Sequence, residues 1–145
     1  MLTVESLMIA RILAQTSGFT TVGNASTLAQ GMRRLGELLP ACFIFPGPSA
    51  AELGENDLSC DLPLLEYQHW DVVVIVPHEN QQATSGQTDN LAGDLLNQVL
   101  KALHGWSPSP TNPSLLQYMG REQPQFSMGY AEFTLTFAGR QLVGI

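Results

Sequence analysis

Residues 64–76, LLEYQHWDVVVIV, most narrow what this chain can become. At a period of two, Trp70, Val72, Val74 and Val76 share one face of a strand, and Tyr67, His69, Asp71, Val73 and Ile75 share the other. The carboxyl half is apolar on both faces, as in a central strand covered on each side. The amino half keeps one polar face and is expected to run beyond the core.

The rest of the chain supplies the cover. Val4, Leu7, Met8 and Ile12 fall at helical spacing and predict a helix from Thr3, as N-cap, to Gln15, stopped by Ser17-Gly18. A short strand is expected at 19–22. Leu28, Met32, Leu35 and Leu39 form one stripe, so a second helix is expected over 25–39, capped by Asn24 and ended by Pro40. Gly31 and Gly36 weaken it, and it must depend on packing. ACFIF at 41–45 reads as a buried strand closed by Pro46-Gly47-Pro48, with an acidic loop over 47–61. The polar stretch 78–90 reads as a loop. Asp89 is then the expected cap of a third helix, whose stripe Leu91, Leu95, Val99 and Leu103 ends at Gly105. The last third predicts strands at 114–122 and 126–144, joined through Gln123-Pro124-Gln125. In the second, Phe133, Leu135 and Phe137 alternate with Glu132, Thr134 and Thr136. The order α-β-α-β-β-α-β-β is α+β, with a mixed or mainly antiparallel sheet of four to five strands and about three helices. One domain over residues 1–145 is expected.

Charge and cysteine usage set limits on function. Six Lys+Arg against thirteen Asp+Glu give a net charge of −7, which argues against a general nucleic-acid-binding surface. Charged residues are only 13% of the chain, about half the usual fraction. Two explanations stay open. Either other subunits cover part of the surface, or Gln, Asn, Ser and Thr take the place of charge. No apolar run reaches membrane-spanning length, and the amino terminus lacks the pattern of a secretory signal. Cys42 and Cys60 could pair, but their expected state is reduced and structural.

Chemistry-bearing patterns are sparse. His69 and Asp71 share a strand face, with His78 and Glu79 just beyond, and two or three of these could hold a metal or act as an acid–base pair. The competing reading, solvated side chains at a strand rim, is favoured because no dedicated spacing motif is present. There is no nucleophile elbow, phosphate loop or dinucleotide fingerprint, and nothing calls for a cofactor. The residues singled out for an interface are Trp106, the Arg33–Arg34 doublet, Arg121, His78 and Glu79. Trp106 sits in ALHGWSPSP, where a helix ends on Gly105 and runs directly into a proline-studded loop. It either closes the core beneath the third helix or is held against a neighbouring subunit.

The layout is also familiar. PACFIFPG, HWDVVVIVPHEN, the helix LAGDLLNQVLKALHGWSPSP and the strands LLQYMGRE and FSMGYAEFTLTF together resemble the tail terminator and minor tail proteins of long-tailed bacteriophages and Mu-like prophages. The resemblance covers most of the chain. Its most specific parts are the W-x-V-x-V-x-V strand and the leucine-rich helix ending Ala102-Leu103-x-Gly105-Trp106-x-Pro108. It implies a small ring-forming protein, typically a homo-hexamer, that caps the tail tube, stops its growth and presents a docking surface to the head. The implied partners are its own copies, the tail tube protein and a head-completion or connector protein. DNA would pass through without specific binding, and no membrane, cofactor or catalysis is involved. The implied location is the neck region of the virion tail, after assembly in the host cytoplasm. A head–tail adaptor or another minor tail structural protein is the alternative.

Overall fold

The computed structural model describes residues 4–52, 64–78, 85–108, 115–127 and 129–143. The elements, in chain order, are α1 (Val4–Gln15), β1 (Thr21–Asn24), α2 (Ala25–Gly31), a 3-10 turn (Met32–Arg34), α3 (Leu35–Leu38), β2 (Ala41–Glu52), β3 (Leu64–His78), α4 (Ser85–Leu103), β4 (Gln117–Arg121), β5 (Gln125–Ser127) and β6 (Gly129–Val143). Among the described residues the strands form one six-stranded mixed sheet in the order β1-β2-β3-β6-β4, with β5 also paired to β6. Only the β1–β2 pairing is parallel. This is the expected α+β architecture.

β3 is the central strand that its double-sided apolar half demands. Trp70, Val72, Val74 and Val76 are buried on one face against α1 and α4, together with Met8, Ile12, Leu95, Val99 and Leu103. The opposite face is covered only in part. Ala41, Phe43 and Ile75 are buried there, beneath Leu28, Leu38 and Leu39 of the α2–α3 segment. The amino half of β3 stays paired with β2 on one side and β6 on the other.

Several expectations are corrected. The helix over 25–39 is broken at Gly31 into α2, the 3-10 turn and α3. The break folds Leu38 back over Gly31, where an added Cβ would lie 2.5 Å from Leu38 Cδ1. It also spoils the sequence stripe, leaving Met32 52% exposed. Asn24 does cap α2. Its Oδ1 accepts from the Thr27 amide at 3.0 Å, and the Thr27 hydroxyl reaches back to the Asn24 amide. β1 starts two residues later than expected, because its parallel register with β2 begins at Thr21 opposite Ala41.

β2 does not stop at Pro46-Gly47-Pro48 but continues to Glu52. Its register against β3 jumps between Pro46 and Ser49, and such a bulge lets a strand accommodate proline. The buried Gln68 side chain fills the irregularity, its Nε2 donating to the carbonyls of Gly47 (2.9 Å) and His69 (2.7 Å). α4 begins at Ser85, so Asp89 lies inside the helix rather than at its cap. The expected final strand is two: it divides before Gly129, whose φ is +90°, and so yields the extra strand β5. Cys42 is a fully buried free thiol, and burial pushes its pKa up to about 12. Thr3, Cys60 and the whole of the 53–63 and 79–84 connections lie outside the described residues.

Candidate functional site

α4 ends because Gly105 takes a positive φ of +77°. The Trp106 amide turns back to the Leu103 carbonyl at 3.1 Å. The chain then does something the sequence hides. The Gly105 amide donates to the Leu116 carbonyl (2.8 Å), and the Leu116 amide donates to the Trp106 carbonyl (2.9 Å). This two-bond bridge joins the end of α4 to the approach of β4. His104 extends the junction, its Nδ1 accepting from the Tyr118 amide at 3.2 Å. A lone pair at Nδ1 fixes the neutral ring as the Nε2–H tautomer.

Trp106 is half-buried and packs against the main core. Arg11 of α1 covers it from outside, with the guanidinium carbon 5.6 Å from the ring centroid. Arg11 Nε also donates to the Ala102 carbonyl at 2.9 Å, satisfying one of the last carbonyls of α4. Part of the Trp106 ring is thus covered within its own subunit, and part stays exposed. Pro108 is described, whereas Ser109 and Pro110 are not.

Beside this junction lies a groove of about 390 Å³ lined by Leu100, Lys101, His104 and Tyr118. Tyr118 stacks at a tilt on Phe137, centroids 5.7 Å apart. Further along β6, Phe126 of β5 is 57% exposed, with its ring 5.1 Å from His78 and 6.4 Å from Phe133. Tyr118 stands opposite Phe137 and Phe126 opposite Ala131, so both lie on the face that carries α1 and α4.

The residues singled out from the sequence do not converge on one place. Arg33 and Arg34 are exposed in the 3-10 turn over the opposite sheet face, and Arg34 is 3.9 Å from Glu37 with both side chains 72% exposed. Such a surface pair contributes little to stability. Arg121 is exposed on β4, opposite Leu135. His78 closes β3 beside Phe126, and Glu79 lies outside the described residues. His69 and Asp71 share a strand face but are engaged separately. The Asp71 carboxylate accepts from the Thr136 hydroxyl at 3.1 Å, and His69 Nδ1 is 3.2 Å from the Pro48 carbonyl. Among the described residues no group of three or more His, Cys, Asp or Glu comes within reach of one metal ion.

Sequence reasoning missed Arg11, His104, Tyr118 and Phe126. Phe126 carried a weak signal, because it follows Gln-Pro-Gln in a stretch too short to have a covered face. The other three depend on contacts between elements far apart in the sequence and carried none.

No helix among the described residues is long and apolar enough to cross a membrane. No curated protein matches the chain. A family model described as phage tail terminator protein matches residues 2–144. With nearly the whole length aligned, the chain belongs to the phage tail terminator family, a structural component of bacteriophage tails.

Proposed function

We propose that this protein assembles as a homo-hexameric ring on the last ring of the tail tube, ends tube growth and presents the surface to which the head docks. The observation that carries this reading is the family match over residues 2–144. The uneven cover of the sheet supports it: one face is only partly covered by α2–α3, and the β4–β5 edge exposes Met119 and Phe126. A chain with 13% charged residues and apolar side chains at a sheet edge has surface suited to burial between subunits. On this reading it works without catalysis and without a cofactor. Its partners are its own copies, the tail tube protein and a head-completion protein, and DNA passes through the ring without specific contacts. Its place is the neck of the virion tail, after assembly in the host cytoplasm.

The test is polymerisation of the tail tube protein with and without this chain, scored by negative-stain electron microscopy. Substoichiometric amounts should shorten the tubes and decorate one end with a ring. Tubes of unchanged length with bare ends would overturn the reading. Binding to a head-completion protein with no effect on tube length would replace it with that of a head–tail adaptor.

A further inference from the structure

His104 stands where α4 hands the chain over to β4, and it stands there as an acceptor. Its Nδ1 takes the Tyr118 amide at 3.2 Å, beside the two backbone bonds that tie Gly105 and Trp106 to Leu116. β4 is an edge strand, paired with β6 on one side, and these three bonds close the start of its other side. An edge strand otherwise leaves a row of donors and acceptors open.

Two of the three bonds join peptide groups and do not respond to pH. The third does. A ring nitrogen accepts only while it carries no proton, and a second proton makes both ring nitrogens donors. The Tyr118 amide would then face an N–H instead of a lone pair. Histidine is the side chain whose ordinary charge change falls between about pH 5 and 8. His104 is exposed, so protons reach it from solvent.

The charged groups around the ring share one sign. Lys101 of α4 lines the same groove, and Arg121 follows Tyr118 by three residues along β4. Arg11 of α1 is turned to the Ala102 carbonyl and Trp106. Tyr118 itself is the other titratable group lining the groove. Among the described residues no carboxylate comes within ion-pair distance of His104. A charged ring therefore has nothing to hold it against β4, and Lys101 repels it.

The charged ring does have another place to go. In a continuing helix the Gly105 amide would donate to the Lys101 carbonyl. Here that amide is turned to Leu116, and among the described residues no other donor reaches the Lys101 carbonyl. A histidine at a helix end can bond such terminal carbonyls, and the negative end of the helix dipole favours its charge.

We propose that His104 is a pH-operated latch. The neutral ring closes the start of the β4 edge on the Tyr118 amide; the charged ring releases that amide and turns back to the end of α4. In acid the junction keeps its two backbone bonds, so β4 stays in place while one edge donor opens. The latch needs no partner and does not rest on the ring reading.

The test is hydrogen exchange at the Tyr118 amide of the full, isotope-labelled chain, read by NMR together with the ring-nitrogen shifts of His104, from about pH 8 to about pH 5. At the upper end the ring should be the Nε2–H tautomer and the amide protected. As the ring charges, that protection, corrected for the intrinsic pH dependence of exchange, should fall roughly tenfold, the contribution of one hydrogen bond. The Gly105 and Leu116 amides should keep theirs. His104→Asn places an amide oxygen where Nδ1 stood and does not titrate, so Tyr118 should stay protected throughout. His104→Ala should leave it unprotected throughout. His69→Gln and His78→Gln, which remove the other two histidines, should respond like wild type. An Nδ1–H tautomer at the upper end would overturn the proposal, and that measurement needs no variant to fold. So would wild-type protection that ignores the charge on His104, or an equal acid loss in His104→Asn, which would place the titrating group elsewhere. Loss of the Gly105 and Leu116 protection together with that of Tyr118 would make the event an opening of the whole junction and likewise overturn it. The terminator reading is judged separately, on tube length.

Discussion

Arg11 and Trp106 hold three parts of the fold together. The guanidinium lies over the indole ring, and the same side chain donates to the Ala102 carbonyl, so α1, α4 and the chain leaving α4 meet at one point. Arg11→Ala is expected to cost about 1–2 kcal/mol, combining a partly buried cation–π contact with a charge-assisted hydrogen bond. The measurement is the urea midpoint, which should fall with an unchanged slope. Trp106 fluorescence should change in the native baseline, because the ring loses its cover. Arg11→Lys keeps the charge and loses the planar contact, and most of the cost should remain.

Gly105 is the second point of control. At a φ of +77° any L-residue with a Cβ is strained, although nothing lies within 4 Å of the added atom. Gly105→Ala should therefore destabilise by about 1–2 kcal/mol through the backbone alone. Gly36→Ala makes a useful contrast. That glycine has equally open surroundings and no positive φ, so its replacement inside α3 should be neutral or stabilising. Thermal melts of the two variants should move in opposite directions, or Gly105→Ala should fall while Gly36→Ala stays.

Gln68 tests the bulge in β2. It is buried, and its amide serves two carbonyls, those of Gly47 and His69. Gln68→Leu fills a similar volume but removes the donor that serves both carbonyls, for a cost of about 1–3 kcal/mol. Hydrogen exchange should show the change concentrated in the outer half of the β2–β3 pair, with the Val72–Val76 amides protected as before.

Cys42 makes stability depend on alkaline pH. Its folded pKa is raised by burial to about 12, whereas an unfolded thiol titrates near 8.5. Between those values the folded state holds a proton that the unfolded state has lost, so stability falls as pH rises. The contribution is fully present below about pH 8 and should decline by about 1–2 kcal/mol by pH 10. Cys42→Ala should be less stable than wild type at pH 7, and the gap should narrow towards pH 10. A constant gap across that range would mean that the thiol is not held neutral. The native thiol should also resist alkylating reagents until the protein unfolds.

How far the sequence leads differs sharply between elements. β3 and α4 are readable because burial on a central strand or along one helix face imposes a period on many residues at once. Trp70 to Val76 and Leu95 to Leu103 each repeat the same demand. The 25–39 segment misleads because its stripe is real in spacing but is broken by one local event, Leu38 folding back over Gly31. β2 misleads in the other direction. Proline usually closes a strand, and only Gln68, twenty residues later, supplies the hydrogen bonds that let this one continue. The candidate surface is less legible still. Arg33, Arg34 and Trp106 stand out by residue type, yet they do not converge on one place, and Trp106 packs in part against its own core. Phe126 and Tyr118 become neighbours along an edge only once β4 and β5 align on β6.

The bridge between Gly105–Trp106 and Leu116 also bears on how this lineage can vary. It pins both ends of the intervening segment with backbone hydrogen bonds, which no substitution other than proline removes. Insertions between residues 107 and 115 would therefore leave the register of β4 intact, and the entropic penalty of a longer closed loop grows only slowly with length. Diverging relatives can lengthen this loop to suit new partners without renegotiating the fold. The same position would accept a peptide tag for following the protein into the virion.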